Sequence, residues 1–67
     1  MMTTEQILKL IQKFNTANRR WPQVEELTQL VANEMHCAVG VDDVRDKLEM
    51  LEQANSIVIE GGAVRIV

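Results

Sequence analysis

Apolar side chains recur at helical spacing from the start of the chain. Ile7, Leu10, Ile11 and Phe14 share one face, while Lys9, Lys13 and Thr16 fall on the other. Thr3 or Thr4 can accept a hydrogen bond from an unpaired N–H of the first turn, and Thr3 with Gln6 has capping-box spacing. The pattern predicts a first helix over about 4–15. It lapses in NTANRRW, and Pro22, whose fixed φ suits a first helical position, is expected to open a second helix over about 22–35. There Val24, Leu27, Val31 and Met35 make a stripe supported by Leu30, and Glu25 and Glu26 lie near the positive end of the helix dipole. HCAVG has no helical pattern. Beyond it, Val41, Val44, Leu48 and Leu51 predict a third helix over about 42–54, capped by Asp42 or Asp43 and stopped by a left-handed Asn55.

The last twelve residues change period. Ser56 to Glu60 and Ala63 to Val67 are rich in β-branched residues and flank Gly61-Gly62, a two-residue connection suited to a I′ or II′ hairpin turn. Strands over about 56–60 and 63–67 follow. A two-residue turn sets Glu60 opposite Ala63, Ile59 opposite Val64, Val58 opposite Arg65 and Ile57 opposite Ile66. Ile57, Ile59, Val64 and Ile66 then share the face expected to pack on the helices, since a free two-stranded ribbon is not stable alone.

Composition limits the function classes. With 67 residues the chain forms one domain, and a fold of this size removes only about 60% of the surface its unfolded form exposes, so a deep catalytic cavity is hard to build. Apolar residues at 46% and charged residues at 25% are ordinary for a globular chain. No apolar run approaches the ~18 residues of a membrane span, and MMTTEQILKL lacks a basic segment followed by an apolar one, so a soluble, cytoplasmic protein is expected. Cys37 is the single cysteine, allows no intrachain disulfide and is expected to be a small buried hydrophobe. His36 is the only histidine, so no catalytic triad can be assembled and a four-ligand zinc site is out of reach. Asp42, Asp43 and Asp46 lack the spacing and glycine of a calcium loop, and Gly61-Gly62 precedes a strand rather than a helix, unlike a phosphate-binding loop. The expectation is a non-enzymatic chain with no cofactor, metal or small-molecule substrate.

The proline-led PQVEELTQLV, the segment VDDVRDKLEMLEQAN and the transition LEMLEQANSIVIEGGAVRIV together resemble the winged helix-turn-helix superfamily over nearly the whole chain. The resemblance implies an α+β fold: a three-helix winged helix with a C-terminal two-stranded β-hairpin. It further implies that helices two and three form the helix-turn-helix, that helix three is the recognition element, that Gly61 and Gly62 tip a small wing, and that a short strand near Arg20 and Trp21 completes the order. Two features depart from that pattern. MHCAVG is longer than the usual three- to four-residue turn, and the wing tip carries no Lys or Arg to enter a groove.

Charge bears most directly on function. On a wheel at ~100° per residue, Asp42, Asp46, Glu49 and Gln53 lie opposite Val44, Leu48 and Leu51, with Arg45 and Lys47 toward the flanks. DNA carries roughly one negative charge per 1.7 Å of axis, and non-specific affinity comes from cations that displace its counterions, so an acidic third helix opposes groove docking. The formal net charge is −3, distributed unevenly. Residues 1–21 hold Lys9, Lys13, Arg19 and Arg20 against Glu5, a net +3, and the remainder hold nine acids against Arg45, Lys47 and Arg65, a net −6. Such bipolarity suits steering of a charged partner or pairing of two copies, although chance segregation on a small surface gives the same pattern.

Two functions remain open. In the first, a regulatory module contacts a protein partner or a second copy through Asp42, Asp46, Glu49 and Gln53 or through Trp21. In the second, a DNA-binding regulator, as a monomer or a dimer, uses Lys9, Lys13, Arg19, Arg20 and Arg65, and Trp21 beside Arg19 and Arg20 offers a base-stacking group. The plainer readings are that the acids solvate an exposed helix and that Trp21 covers the edge of the core. Charge favours the first function.

Overall fold

Three helices and a hairpin follow one another in the order α1 (Thr4–Asn18), α2 (Val24–Met35), α3 (Val41–Gln53), β1 (Ile57–Glu60) and β2 (Ala63–Ile66). This α+β arrangement is seen in a computed structural model that describes residues 2–67. Among these residues no helix is long and apolar enough to cross a membrane.

The capping box at the start of α1 forms as the spacing predicts. Thr3 Oγ1 accepts from the Gln6 backbone N–H at 3.2 Å, and Gln6 Oε1 accepts from the Thr3 N–H at 2.9 Å. The helix runs to Asn18, three residues past its expected end. The Asn18 side chain donates to the Phe14 carbonyl at 3.0 Å, and Arg19, at φ 56°, ends the helix with its N–H donating to Asn15 O at 2.8 Å. The turn preference of Asn15 is thus overridden within the helix, and the stop falls to a left-handed arginine.

The start of α2 differs from expectation. Pro22 does not open the helix; Gln23, at φ −73° and ψ 159°, is its N-cap, and Val24 is the first helical residue. The cause is tertiary. Pro22 is buried, its carbonyl accepts from Val64 N–H at 2.8 Å, and Val24 N–H donates to Gly62 O at 3.1 Å, which holds residues 22 and 23 against the hairpin with Gln23 extended. The short strand expected near Arg20 and Trp21 is therefore a single antiparallel bridge, Gln23 to Ala63. At the other end, His36 takes φ 57°, while its own N–H and that of Cys37 donate to Asn33 O and Ala32 O at 3.3 and 3.2 Å. These paired bonds form a Schellman stop.

Neither Asp42 nor Asp43 caps α3. Gly40 is the N-cap, Val41 the first helical residue, and both aspartates lie in the first turn, where they complement the helix dipole. Because the helix begins earlier, Val41 lies at the open end of its stripe and is 36% exposed rather than part of the core. Asn55 is the left-handed stop, at φ 60°, with Asn55 N–H to Glu52 O and Ser56 N–H to Leu51 O both at 2.9 Å.

The hairpin has the expected register: Ile57 pairs with Ile66, Val58 with Arg65, Ile59 with Val64 and Glu60 with Ala63. Each strand is shorter than expected, since Ser56 and Val67 fall outside the ladder apart from one bond between Val67 N–H and Ser56 O at 3.2 Å. Gly61 and Gly62 both have positive φ, 58° and 82°, as a type I′ turn requires. Ile57 and Val64 are buried, with Ile59 and Ile66 packed partly against the same core. That core joins Ile7 and Ile11 of α1, Leu27 and Val31 of α2, and Val44, Leu48 and Leu51 of α3. Met2, Leu10, Trp21 and Leu30 lie around its edge.

Candidate interaction surface

Burial of Val44, Leu48 and Leu51 fixes the rotation of α3, and the rest of its surface follows from helical geometry. Asp42, Asp43, Asp46, Glu49, Glu52 and Gln53 are all exposed. Among the described residues, none of these acids is in an ion pair. Their one side-chain link is from Gln53 Nε2 to Glu49 Oε1, at 3.5 Å. Arg45 is exposed and Lys47 half-buried on the flanks. The four candidate residues of α3 thus share one solvent-facing ridge, three acids with Gln53, outside the ion pairs of the described residues.

Met50 was not legible as a surface feature from the apolar stripes. It lies on the flank of this ridge, beside Asp43 and Asp46, and is 55% exposed. Its signal was its offset: seven residues after Asp43 and four after Asp46, it stands within ~20° and ~40° of them around the helix and well away from Leu48.

The basic candidates do not act as a group. Arg20 is committed within the fold, where its Nη1 donates to Glu26 Oε1 at 2.8 Å and its Nη2 to Glu26 Oε2 at 2.6 Å. Its guanidinium carbon also stands 4.9 Å from the centre of the Phe14 ring. Glu26 Oε1 accepts in addition from the Gln23 backbone N–H at 2.9 Å, which places Glu26 at the third position of a helix start. The hydrogen bonds from Arg20, then that from Gln23, lower the Glu26 carboxyl to about 2, while bonding to Glu26 raises the Arg20 pKa. Arg65 is likewise engaged, with its Nε and Nη2 donating to Glu60 Oε1 at 3.2 and 2.6 Å.

Lys9, Lys13 and Arg19 remain exposed and outside the ion pairs found among the described residues. Lys9 and Lys13 lie one turn apart on α1, and Arg19 sits at its C-terminus. Trp21 is half-buried against the core, the position of an edge cover rather than of an open stacking platform.

Cys37 is exposed, contrary to the expectation of a buried thiol. The reason is the left-handed turn at His36, which sends the chain off the end of α2 so that residues 36–38 run along the surface. His36 is exposed too, and no group of three or more potential metal ligands forms among the described residues. Comparison with protein-family models, with curated proteins and with solved structures yields no match to this chain.

Proposed function

We propose that this chain is a small winged-helix regulatory module of the cytoplasm that acts through protein–protein contacts, as an adaptor or by self-association, and catalyses no reaction. The winged-helix reading is supported by the element order and by the extended Gln23, which lies between two helices and bridges to Ala63 of β2. One observation carries the functional reading. The helix that a DNA-reading member would place in the groove presents Asp42, Asp46 and Glu49 to solvent with no cation paired to them among the described residues.

Nucleic-acid binding needs cations to outnumber acids on the contacting face. Here two of the five candidate cations, Arg20 and Arg65, are spent on intramolecular carboxylates. The three left over, Lys9, Lys13 and Arg19, support a weak electrostatic contact at most. Fluorescence anisotropy with a random DNA duplex at low salt tests this directly. No binding is expected up to ~100 μM, the weak end of ordinary non-specific affinity, while Asp46→Lys combined with Glu49→Lys is expected to introduce salt-dependent binding. Tight duplex binding by the unmodified chain, with a steep negative salt slope, reverses the reading in favour of a DNA-binding regulator.

A further inference from the structure

The acidic ridge is one of two complementary unpartnered surfaces. Its apolar flank is Met50, an unbranched side chain that adapts to irregular gaps, and its charge comes from Asp43 and Asp46 beside Met50 and from Glu49 farther round the helix. The second surface is a groove between α1 and α2, with Leu10, Phe14 and Leu30 among its lining and Lys13 at its edge; it continues past Lys9 toward Met2. Glu34 also lines the groove, and Lys9 with Lys13 outnumber it.

These surfaces cannot meet within one chain. No residue of α3 lines the groove, and α3 packs on the core through Val44, Leu48 and Leu51 with its ridge turned outward. We propose that the occupant of the groove is a second copy of this chain, which seats Met50 on Leu10, Phe14 and Leu30 and sets Asp46 and Glu49 against Lys9 and Lys13. The inference rests on reading the acidic ridge as a protein contact surface and names the partner.

Charge selects this arrangement over the symmetric ones. Ridge on ridge would oppose carboxylates to carboxylates, and groove on groove would oppose Lys9 and Lys13 to their own copies. Only ridge on groove joins unlike charges while covering an exposed methionine. The contact is heterologous, so each paired copy keeps one free ridge or one free groove, and association continues into a chain or closes into a ring. On a domain measuring 28 × 26 × 20 Å the patch is small, which places the affinity in the weak range and makes it sensitive to salt.

Sedimentation velocity on the full chain tests the arrangement. Between about 10 μM and about 1 mM at low salt, the average mass should rise above that of the monomer, and it should return to the monomer near 1 M salt, where the Debye length is about 3 Å. A groove variant, Lys9→Glu with Lys13→Glu, should stay monomeric, as should a ridge variant, Asp46→Asn with Glu49→Gln and Met50→Ala. All five side chains are exposed, so circular dichroism should show both variants folded. Mixing them joins the intact ridge of one to the intact groove of the other, and one-to-one pairs that grow no further are expected. A monomer throughout the range, association that survives in either variant, or a mixture that stays monomeric overturns self-pairing. None of these results touches the charge argument against DNA, whereas tight duplex binding by the unmodified chain removes both readings.

Discussion

Arg20 and Glu26 are joined by two parallel hydrogen bonds of 2.8 and 2.6 Å, with the guanidinium lying over the Phe14 ring. The pair fastens the end of α1 to the start of α2 across the NRRWP segment. It also engages the central arginine of the basic cluster with a carboxylate of the fold. A bidentate arginine–carboxylate contact is geometrically specific, and lysine cannot reproduce it.

The titration of Glu26 follows from this contact. Its carboxyl is held at about 2 against an ordinary 4.5, so the folded chain binds this proton less tightly than the unfolded chain. The stability it contributes is complete above about pH 4.5 and is lost as pH falls from there through about 2. Carbon-detected NMR should give a Glu26 midpoint near 2 in the unmodified chain and one shifted back toward 4.5 in Arg20→Ala. Thermal melts of the unmodified chain and Glu26→Gln should converge over the same interval. An unshifted Glu26 in the unmodified chain contradicts the pairing.

Helix α3 allows a comparison between inward and outward faces. Leu48 is 1% exposed, and Leu48→Ala is expected to cost about 2–5 kcal/mol, a large part of the stability of a domain this small. Met50, two residues on, is 55% exposed, and Met50→Ala should change stability by less than about 0.5 kcal/mol. Urea unfolding of the two variants reads the difference, and equal costs would show the helix rotated from the orientation described.

The left-handed residues form a second series. His36 and Asn55 hold φ 57° and 60°, a region that costs most side chains roughly 1–2 kcal/mol and glycine little. His36→Gly should therefore raise stability by about 1 kcal/mol, whereas Asn55→Ala should lower it by a similar amount, because asparagine tolerates this conformation better than alanine. Melting temperatures that move the other way would place the helix stops elsewhere.

Gly61 and Gly62 are not equivalent. At Gly61 an added Cβ meets nothing within 4 Å, and Asn is well suited to the first position of a type I′ turn, so Gly61→Asn should leave stability within about 0.5 kcal/mol. At Gly62 an added Cβ would stand 2.7 Å from Gln23 Oε1 with φ at +82°. Gly62→Ala should cost about 1–3 kcal/mol by straining the turn and displacing the Gln23 side chain, and amide exchange at Val24, which donates to Gly62 O, should accelerate.

Much of the fold and the acidic ridge was legible in residue order because each rested on short-range geometry. A two-residue glycine turn allows one register, so the pairing of Ile57 with Ile66 could be written before the strands were seen. The same holds for the outward aspartates of α3, whose position follows from Val44, Leu48 and Leu51 at a period of 3.6. Thr3 with Gln6, and Asn55, carry their capping function in their own side chains.

What failed to show in the sequence depends on neighbours far along the chain. Pro22 is an acceptable first helical residue by its own φ; it lies outside α2 because its carbonyl is claimed by Val64, forty-two positions later. Arg20 reads as a free cation until α1 and α2 set Phe14 beneath it and Glu26 beside it. Residue order alone determined most of the inward-facing side chains on each element, Val41 excepted, since backbone periodicity is a local property. Only tertiary packing decided which charges remain free for a partner, because that depends on which elements touch.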